Sequence, residues 1–185
     1  MKSKKIIIGS RGSKLAQIYA ERACSKILEV SPDFEIEEVE IKKIKTSGDI
    51  NQIDRLSDIG GKGLFSKQIE NELLEDKIDI AVHALKDMPS QETDGLLTNC
   101  FLERSDPREV LISKNNKLFN ELSPNSVVGT SSFRREFQLK KIRKDLTYKL
   151  IRGNVDTRIK KLEEGLYDAI ILSYAGIKSL GLENK

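Results

Sequence analysis

The apolar positions of this chain come in short runs and helical stripes that alternate along its length. Ile6, Ile7 and Ile8 predict a short buried strand, and Gly9-Ser10-Arg11-Gly12-Ser13 reads as the turn after it. Leu15, Ile18, Ala23, Ile27 and Val30 then recur at helical spacing until Ser31-Pro32 stops the helix. Residues 34–44 alternate as a strand, with a phase slip between Ile36 and Val39 that predicts a bulge. Residues 46–61 are polar and read as a long loop, a length that is often functional. A helix over 64–75 with Phe65, Ile69 and Leu73 on one face leads to a strand over 78–83. Residues 96–101 predict a further strand, and the polar stretch 103–107 a domain boundary.

The second half repeats the plan. Val127-Val128 ends a strand, Gly129 to Ser132 turns, and a helix over 133–143 is expected to bury Phe133, Phe137 and Ile142. A strand over 148–151 precedes Gly153-Asn154, which caps a helix carrying Val155, Ile159, Leu162 and Leu166, with Gly165 at its end. A strand over 169–172 and a helix over 174–180 follow. Ile8-Gly9-Ser10-Arg11 echoes Val128-Gly129-Thr130-Ser131, and Asp79-Ile80-Ala81-Val82 echoes Asp168-Ala169-Ile170-Ile171. Alternating strands and helices in each half predict two α/β lobes with largely parallel sheets, residues 1–102 and 103–185. Ligands of such sheets sit beyond the carboxyl ends of the strands.

Composition narrows the class. The chain has 185 residues, 38% apolar and 33% charged, enough to bury a core. No run reaches the roughly 18 apolar residues of a membrane span. Residues 1–8 are too short for the apolar region of a signal peptide, so a cytoplasmic protein is expected. Cys24 and Cys100 lack metal-ligand spacing, and both are expected as reduced thiols with no metal site. Net charge is +3, yet residues 134–161 hold eleven Lys/Arg against three Asp/Glu, a local +8 in an otherwise acidic chain. That asymmetry predicts an anionic ligand. Nucleic acid is disfavoured, since the aromatics among these charges are only Phe133, Phe137 and Tyr148, without a stacking motif.

Four polar turns carry the candidate chemistry: Ser10 to Ser13, Lys86-Asp87, Thr130 to Arg135, and Arg152-Gly153-Asn154 with Arg158 a helical turn later. Helix-start amides attract anions, hydroxyls add donors, and arginine grips a carboxylate with two parallel hydrogen bonds. Five arginines in three turns suit a ligand with several acidic groups. Asp87 reads either as a turn former or as the one carboxylate of a cationic cleft, able to stabilise a developing cation. His83, the single histidine, reads as a structural, hydrogen-bonded group. Gly60-Gly61-Lys62-Gly63 lacks the spacing of a phosphate loop.

Gly60-Gly61-Lys62-Gly63-Leu64-Phe65, His83 to Pro89, Glu103 to Arg108, Gly129 to Arg135, Arg152 to Arg158 and Tyr167 to Leu172 resemble, in order and spacing, the porphobilinogen deaminase (hydroxymethylbilane synthase) family over about residues 6–182. The resemblance implies two lobes of the type II periplasmic-binding-protein kind with a cleft between them, and a third α+β domain that is missing here. It implies a transferase that joins four porphobilinogen units into linear hydroxymethylbilane, releasing ammonia, as a cytoplasmic monomer of haem biosynthesis. Its partners would be porphobilinogen and the growing oligopyrrole. Its dipyrromethane cofactor would hang from a cysteine of the third domain, so this chain alone is expected to turn over weakly or not at all.

By the same resemblance, Asp87 is the catalytic carboxylate, facing the cation left as ammonia departs, and Arg11 serves the reacting unit. Lys86, Ser13, Thr130, Ser132, Arg134, Arg135, Arg152, Gly153 and Arg158 hold cofactor or substrate carboxylates, Phe65 lies near the cofactor, and the loop before Gly60 is a lid. Lys14, Asp156 and Ser179 depart from the family pattern, and Ser179 stands where many members have a cofactor-binding arginine. The competing expectation is a non-catalytic, polyanion-binding module of two lobes.

Overall fold

The isoleucine run near the start of the chain is the centre of a parallel sheet in the computed structural model, which describes residues 4–50 and 63–184. The chain divides into two units, Met1–Glu103 and Arg104–Lys185. In the first, β1 (Lys4–Arg11) runs on through Gly9, Ser10 and Arg11, so the turn predicted there shrinks to Gly12-Ser13. Helix α1 (Lys14–Val30) returns the chain to β2 (Ile36–Ile44), parallel to β1, and short β3 (Ile80–Ala81) flanks β1 on its other side. A register shift between Lys4 and Lys5 leaves Glu37 as the extra residue of β2, the bulge that the phase slip predicts. Ile8 is fully buried, and Ile44, Ile69 and Ile78 form the core with helix α3 (Lys67–Leu74). A short helix α2 (Ser47–Ile50) opens the polar segment. Gly60, Gly61, Lys62 and residues 51–59 of the expected lid lie outside the described residues.

In the second unit the strand order is β4-β7-β5-β6, where β4 is Glu109–Ser113, β5 Val127–Gly129, β6 Thr147–Lys149 and β7 Ala169–Ser173. Strand β7 sits inside the sheet and reads as a continuous apolar run because both its faces are covered. Ile170 and Leu172 pack with Ile151, Ile159, Leu162 and Ile177, while Ala169 and Ile171 pack with Leu122, Val128 and Leu146 on the opposite face. At roughly 1.5–3 kcal/mol for each large side chain buried, this double-sided strand supplies much of the drive to fold. Helices α4 (Phe133–Ile142), α5 (Val155–Glu163) and α6 (Tyr174–Ser179) follow β5, β6 and β7.

The internal echo is structural. Asp79 N donates to Ile7 O at 2.8 Å and Ile7 N donates to the Asp79 carboxylate at 2.7 Å. In the second unit Asp168 N donates to Val127 O and Val127 N to the Asp168 carboxylate, both at 2.8 Å. Each aspartate thus clips its strand to the strand whose far end carries a polar turn. Two residues on, Gly9 and Gly129 leave room for neighbours: an added Cβ would lie 3.0 Å from Ile44 Cδ1 and 2.9 Å from Tyr167 Cδ1.

Several sequence expectations are corrected. Residues 96–101 form no strand, and Leu97 and Phe101 are 83% and 63% exposed. The strand over 78–83 contracts to Ile80–Ala81. Strand β4, antiparallel to β7, was not expected, since its apolar run spans only Val110 to Ile112. Phe133, Phe137 and Ile142 point outward at 58%, 62% and 71% exposure. The inward stripe of α4 is instead Arg135, Leu139 and then Arg143: Arg135 donates to Ile171 O, and Arg143 to Phe119 O and Leu122 O. Arginine stems pack while their heads satisfy carbonyls, so a polar stripe can face inward. Leu166 lies past the end of α5 and is 59% exposed.

The two clips should be energetically alike. Asp79→Ala and Asp168→Ala are each expected to cost about 1 kcal/mol, the net worth of an ordinary intramolecular hydrogen bond. Urea unfolding of both variants checks this, and a loss in one unit without the other would break the equivalence.

Candidate functional site

In the first unit the site grows from the carboxyl end of β1. Arg11 is 17% exposed there, its Nε–Nη2 edge turned to Asp49, with Nη2 donating to Oδ1 at 2.5 Å and Nε at 3.2 Å. Nη1 lies 3.8 Å from Asp87 Oδ2, an ion pair rather than a hydrogen bond. The guanidinium carbon stands 3.9 Å from the centre of the Phe65 ring, a cation–π contact. Asp49 is itself anchored, accepting from Thr46 Oγ1 at 2.7 Å and Thr46 N at 3.3 Å. Burial alone would push the Asp49 carboxyl up, but the hydrogen bonds from Arg11 and Thr46 prevail and hold it below the usual carboxylate range.

Helix α2 carries Asp49 and is docked by Gly48 N donating to Leu64 O at 2.9 Å, with Gln68 Nε2 donating to Ser47 Oγ. Gly48 is buried against Phe65, where an added Cβ would lie 2.6 Å from ring atom Cδ1. Phe65 is therefore held between the backbone of Gly48 and the guanidinium of Arg11. Asp87 ends a 3-10 turn, Leu85–Asp87, with its N–H bonded to Ala84 O at 2.9 Å, while neighbouring Lys86 is exposed. Ser13 caps α1, accepting from Ala16 N at 3.3 Å. His83 Nε2 is buried with no hydrogen-bond partner among the described residues, against the expectation of a satisfied structural group. Burial pushes its pKa below 6.5, opposed by the charges of Glu70 and Asp87 and aided by Arg11.

In the second unit the site lies at the carboxyl ends of β5, β6 and β7. Thr130 is buried at 1% exposure and accepts from Ser132 N at 3.2 Å, and Ser132 caps α4 by accepting from Arg135 N at 3.4 Å. Arg158 donates to Gly153 O at 2.7 Å and to Ser131 Oγ at 3.2 Å. Gly153 has φ +113, and an added Cβ would meet Thr157 Cγ2 at 2.8 Å, so a bare glycine is needed at this turn. Burial first, then the charges of Arg152 and Arg135, push the Arg158 guanidinium down to about 10. Arg152 is 8% exposed and is likewise pushed down by burial. Arg134 and Arg135 share Glu109, each with Nη2 at 2.6 Å from one carboxylate oxygen.

The sequence reading of a lone carboxylate among arginines is corrected by this geometry. Asp49 stands closer to Arg11 than Asp87 does, and Glu109 answers Arg134 and Arg135. Asp49 was hidden in a stretch read as loop, and Glu109 opens the strand that went unread. The signal for Asp49 was Thr46-Ser47-Gly48-Asp49, a hydroxyl three residues before an acid, which is a local hydrogen-bonding pattern. Among the described residues no cluster of acidic, His and Cys side chains could hold a metal ion. No described helix is long and apolar enough to cross a membrane.

Comparison with known proteins follows the same residues. The family model for porphobilinogen deaminase, dipyrromethane cofactor binding domain, matches residues 6–185. The porphobilinogen deaminase of Bacillus subtilis is 50% identical over 176 residues, 95% of this chain and 55% of the relative. That of Staphylococcus saprophyticus is 48% identical over 178 residues, 96% of this chain and 57% of the relative. The chain thus spans a little over half the length of the curated relatives it matches. Among solved structures it is similar to an ancestral arginine-binding protein bound to glutamine, at TM-score 0.44 and 14% identity, covering 100% of this chain and 75% of that one. It is also similar to an ancestral cationic amino acid solute-binding protein, at TM-score 0.45 and 15% identity, covering 92% and 70%.

Gly48→Ala is expected to drive Phe65 off Arg11 and cost about 1–3 kcal/mol by overpacking, read as a lower urea midpoint. With the folded value of His83 below 6.5, the unfolded chain takes the proton first. Its contribution is complete above about pH 6.5 and is lost as pH falls through the folded value. His83→Gln should therefore flatten the fall of melting temperature as pH drops below about 6.5. A slope identical to wild type would show that His83 does not titrate in that window.

Proposed function

The chain belongs to the porphobilinogen deaminase family, and from that membership we propose that the whole protein condenses four porphobilinogen units head to tail into hydroxymethylbilane, releasing one ammonia at each step. The observation that carries this reading is the guanidinium group of the second unit. Arg158 is bonded there to Gly153 O and Ser131 Oγ, and burial first, then the nearby charges of Arg152 and Arg135, depress its guanidinium to about 10. Arginines gathered at such a cost suit a ligand that brings several carboxylates, and a pyrrole bearing acetate and propionate brings two per ring.

A dipyrromethane fits the residues present. Arg135 Nε is a buried donor with no hydrogen-bond partner among the described residues, the kind of group a ligand carboxylate satisfies. In the second unit Arg134, Arg135, Arg152 and Arg158 would take its acidic side chains, with Thr130, Ser132 and the open backbone at Gly153 beside them; in the first unit Ser13 and Lys86 are the candidate donors to carboxylates. When bound, the dipyrromethane supplies the pyrrole carbon to which the first unit is joined.

The chain's own chemistry centres on Asp87 and Arg11. As ammonia leaves, positive charge spreads onto the pyrrole nitrogen of the substrate, and the Asp87 carboxylate accepts a hydrogen bond from that N–H and lowers the barrier. Arg11 has committed one edge to Asp49, so its Nη1 end is left to receive a substrate carboxylate beside Asp87. Phe65 fixes the guanidinium plane and walls the site with an apolar ring. Asp49 is then a positioning residue: it aims Arg11 and spares Asp87 a bidentate partner that would blunt its charge.

The test is ammonia release from porphobilinogen by the whole protein, with the bilane identified by mass. Asp87→Ala should slow release about 100-fold or more, the loss of roughly 3 kcal/mol of fixed electrostatic stabilisation. Undiminished turnover by that variant removes Asp87 from its role, and a wild-type protein that releases no ammonia overturns the reading.

A further inference from the structure

The two carboxylates that meet these arginines are held in different ways. Asp49 is bonded to Thr46 through both a hydroxyl and an amide, independently of Arg11. Glu109, the first residue of β4, has its side-chain bonds to Arg134 and Arg135 alone among the described residues. Its two oxygens span both guanidiniums as a ligand carboxylate would, and Arg134 at 62% exposed and Glu109 at 31% leave the pair open to solvent. The arginines have other holds: Arg135 keeps its bond to Ile171 O at 3.1 Å whether or not Glu109 stays.

We propose that Glu109 is an internal competitor for the anion site of the second unit, occupying Arg134 and Arg135 until a ligand carboxylate displaces it. This rests on the reading of that site as one for polycarboxylates. Displacement exchanges one carboxylate for another at two guanidiniums, so a ligand with a single acidic group gains little. A ligand with several gains the further contacts as well. Glu109 in this way raises the number of carboxylates needed for stable binding, and it keeps the arginines apart from stray monoanions. Nothing covalent is involved: the carboxylate leaves ionised, swings into water at the edge of β4, and returns when the ligand departs. Glu109 needs no other group to move, since Ile171 O and the helix start hold Arg135 in place.

The experiment is calorimetric titration of the full chain with citrate, as a plain polycarboxylate, for wild type, Glu109→Gln and Glu109→Ala, each first shown to melt cooperatively. Both variants should bind citrate about five-fold more tightly, the worth of two partly exposed ion pairs no longer in competition. Unchanged or weaker binding by the variants, with wild type binding normally, overturns the competitor and leaves the polycarboxylate reading standing. Failure of all three proteins to bind citrate overturns both. Should either variant fail to fold, the wild-type chain carrying 13C at glutamate Cδ decides. Saturation with citrate should move the Glu109 resonance towards that of a solvated glutamate, and a resonance that stays in place sinks the proposal.

Discussion

A guanidinium taken out of water must be met by acceptors, and this requirement organises the polar side of the chain. Arg11 is met by Asp49, Asp87 and the face of Phe65. Arg143 is met by Asp145 and two backbone carbonyls, which ties α4 to the segment before β5. Arg135 is met by Glu109 and Ile171 O, and Arg134, still exposed, shares that glutamate. Arg158 is different in kind, for its hydrogen bonds run to a carbonyl and a hydroxyl while its charged neighbours are arginines. Where a positive charge is answered by neutral dipoles and pressed by like charges, an anion from outside has the most to contribute.

The second ordering device is the repeated clip between an aspartate and the backbone of a neighbouring strand. It fixes Ile7 against Asp79 and Val127 against Asp168 with the same pair of hydrogen bonds. Beyond each clip come a buried aliphatic residue, a glycine and a buried hydroxyl: Ile8, Gly9 and Ser10 in one unit, Val128, Gly129 and Thr130 in the other. The frame is common and the loads differ. The first unit ends its strand in an arginine flanked by two acids, so its charge is answered from within the chain. The second ends its strands in a set of arginines, of which Arg158 has like charges for its charged neighbours.

Much of this was legible in the chain itself. Strand–helix alternation, the bulge in β2, the helix start at Asn154, and the placing of Arg11, Arg134, Arg152 and Arg158 near strand ends follow from spacing alone. The misreadings share one cause. Helix α4 was read with Phe133, Phe137 and Ile142 inward because apolar residues are expected to bury, yet Arg135 and Arg143 could pay for their places with carbonyl hydrogen bonds and the aromatics were left outside. Residues 96–101 are apolar enough for a strand, but a strand needs a partner edge as well as a pattern. Strand β4 passed unread because three apolar residues acquire meaning only when β7 lies alongside.

Local order along the chain determined which residues follow strands, which hydroxyls can cap helices, where glycine is needed and which half carries the surplus of positive charge. These depend on neighbours within a few positions, and short-range sterics and hydrogen bonding are written into such windows. Tertiary structure alone decided which acid meets which base. Asp49 reaches Arg11 across 38 residues and Glu109 reaches Arg134 across 25, and no local rule links positions so far apart. Ion pairing falls off with distance in space and is indifferent to distance along the chain, so the partners of these arginines became known only once the sheets had brought them together.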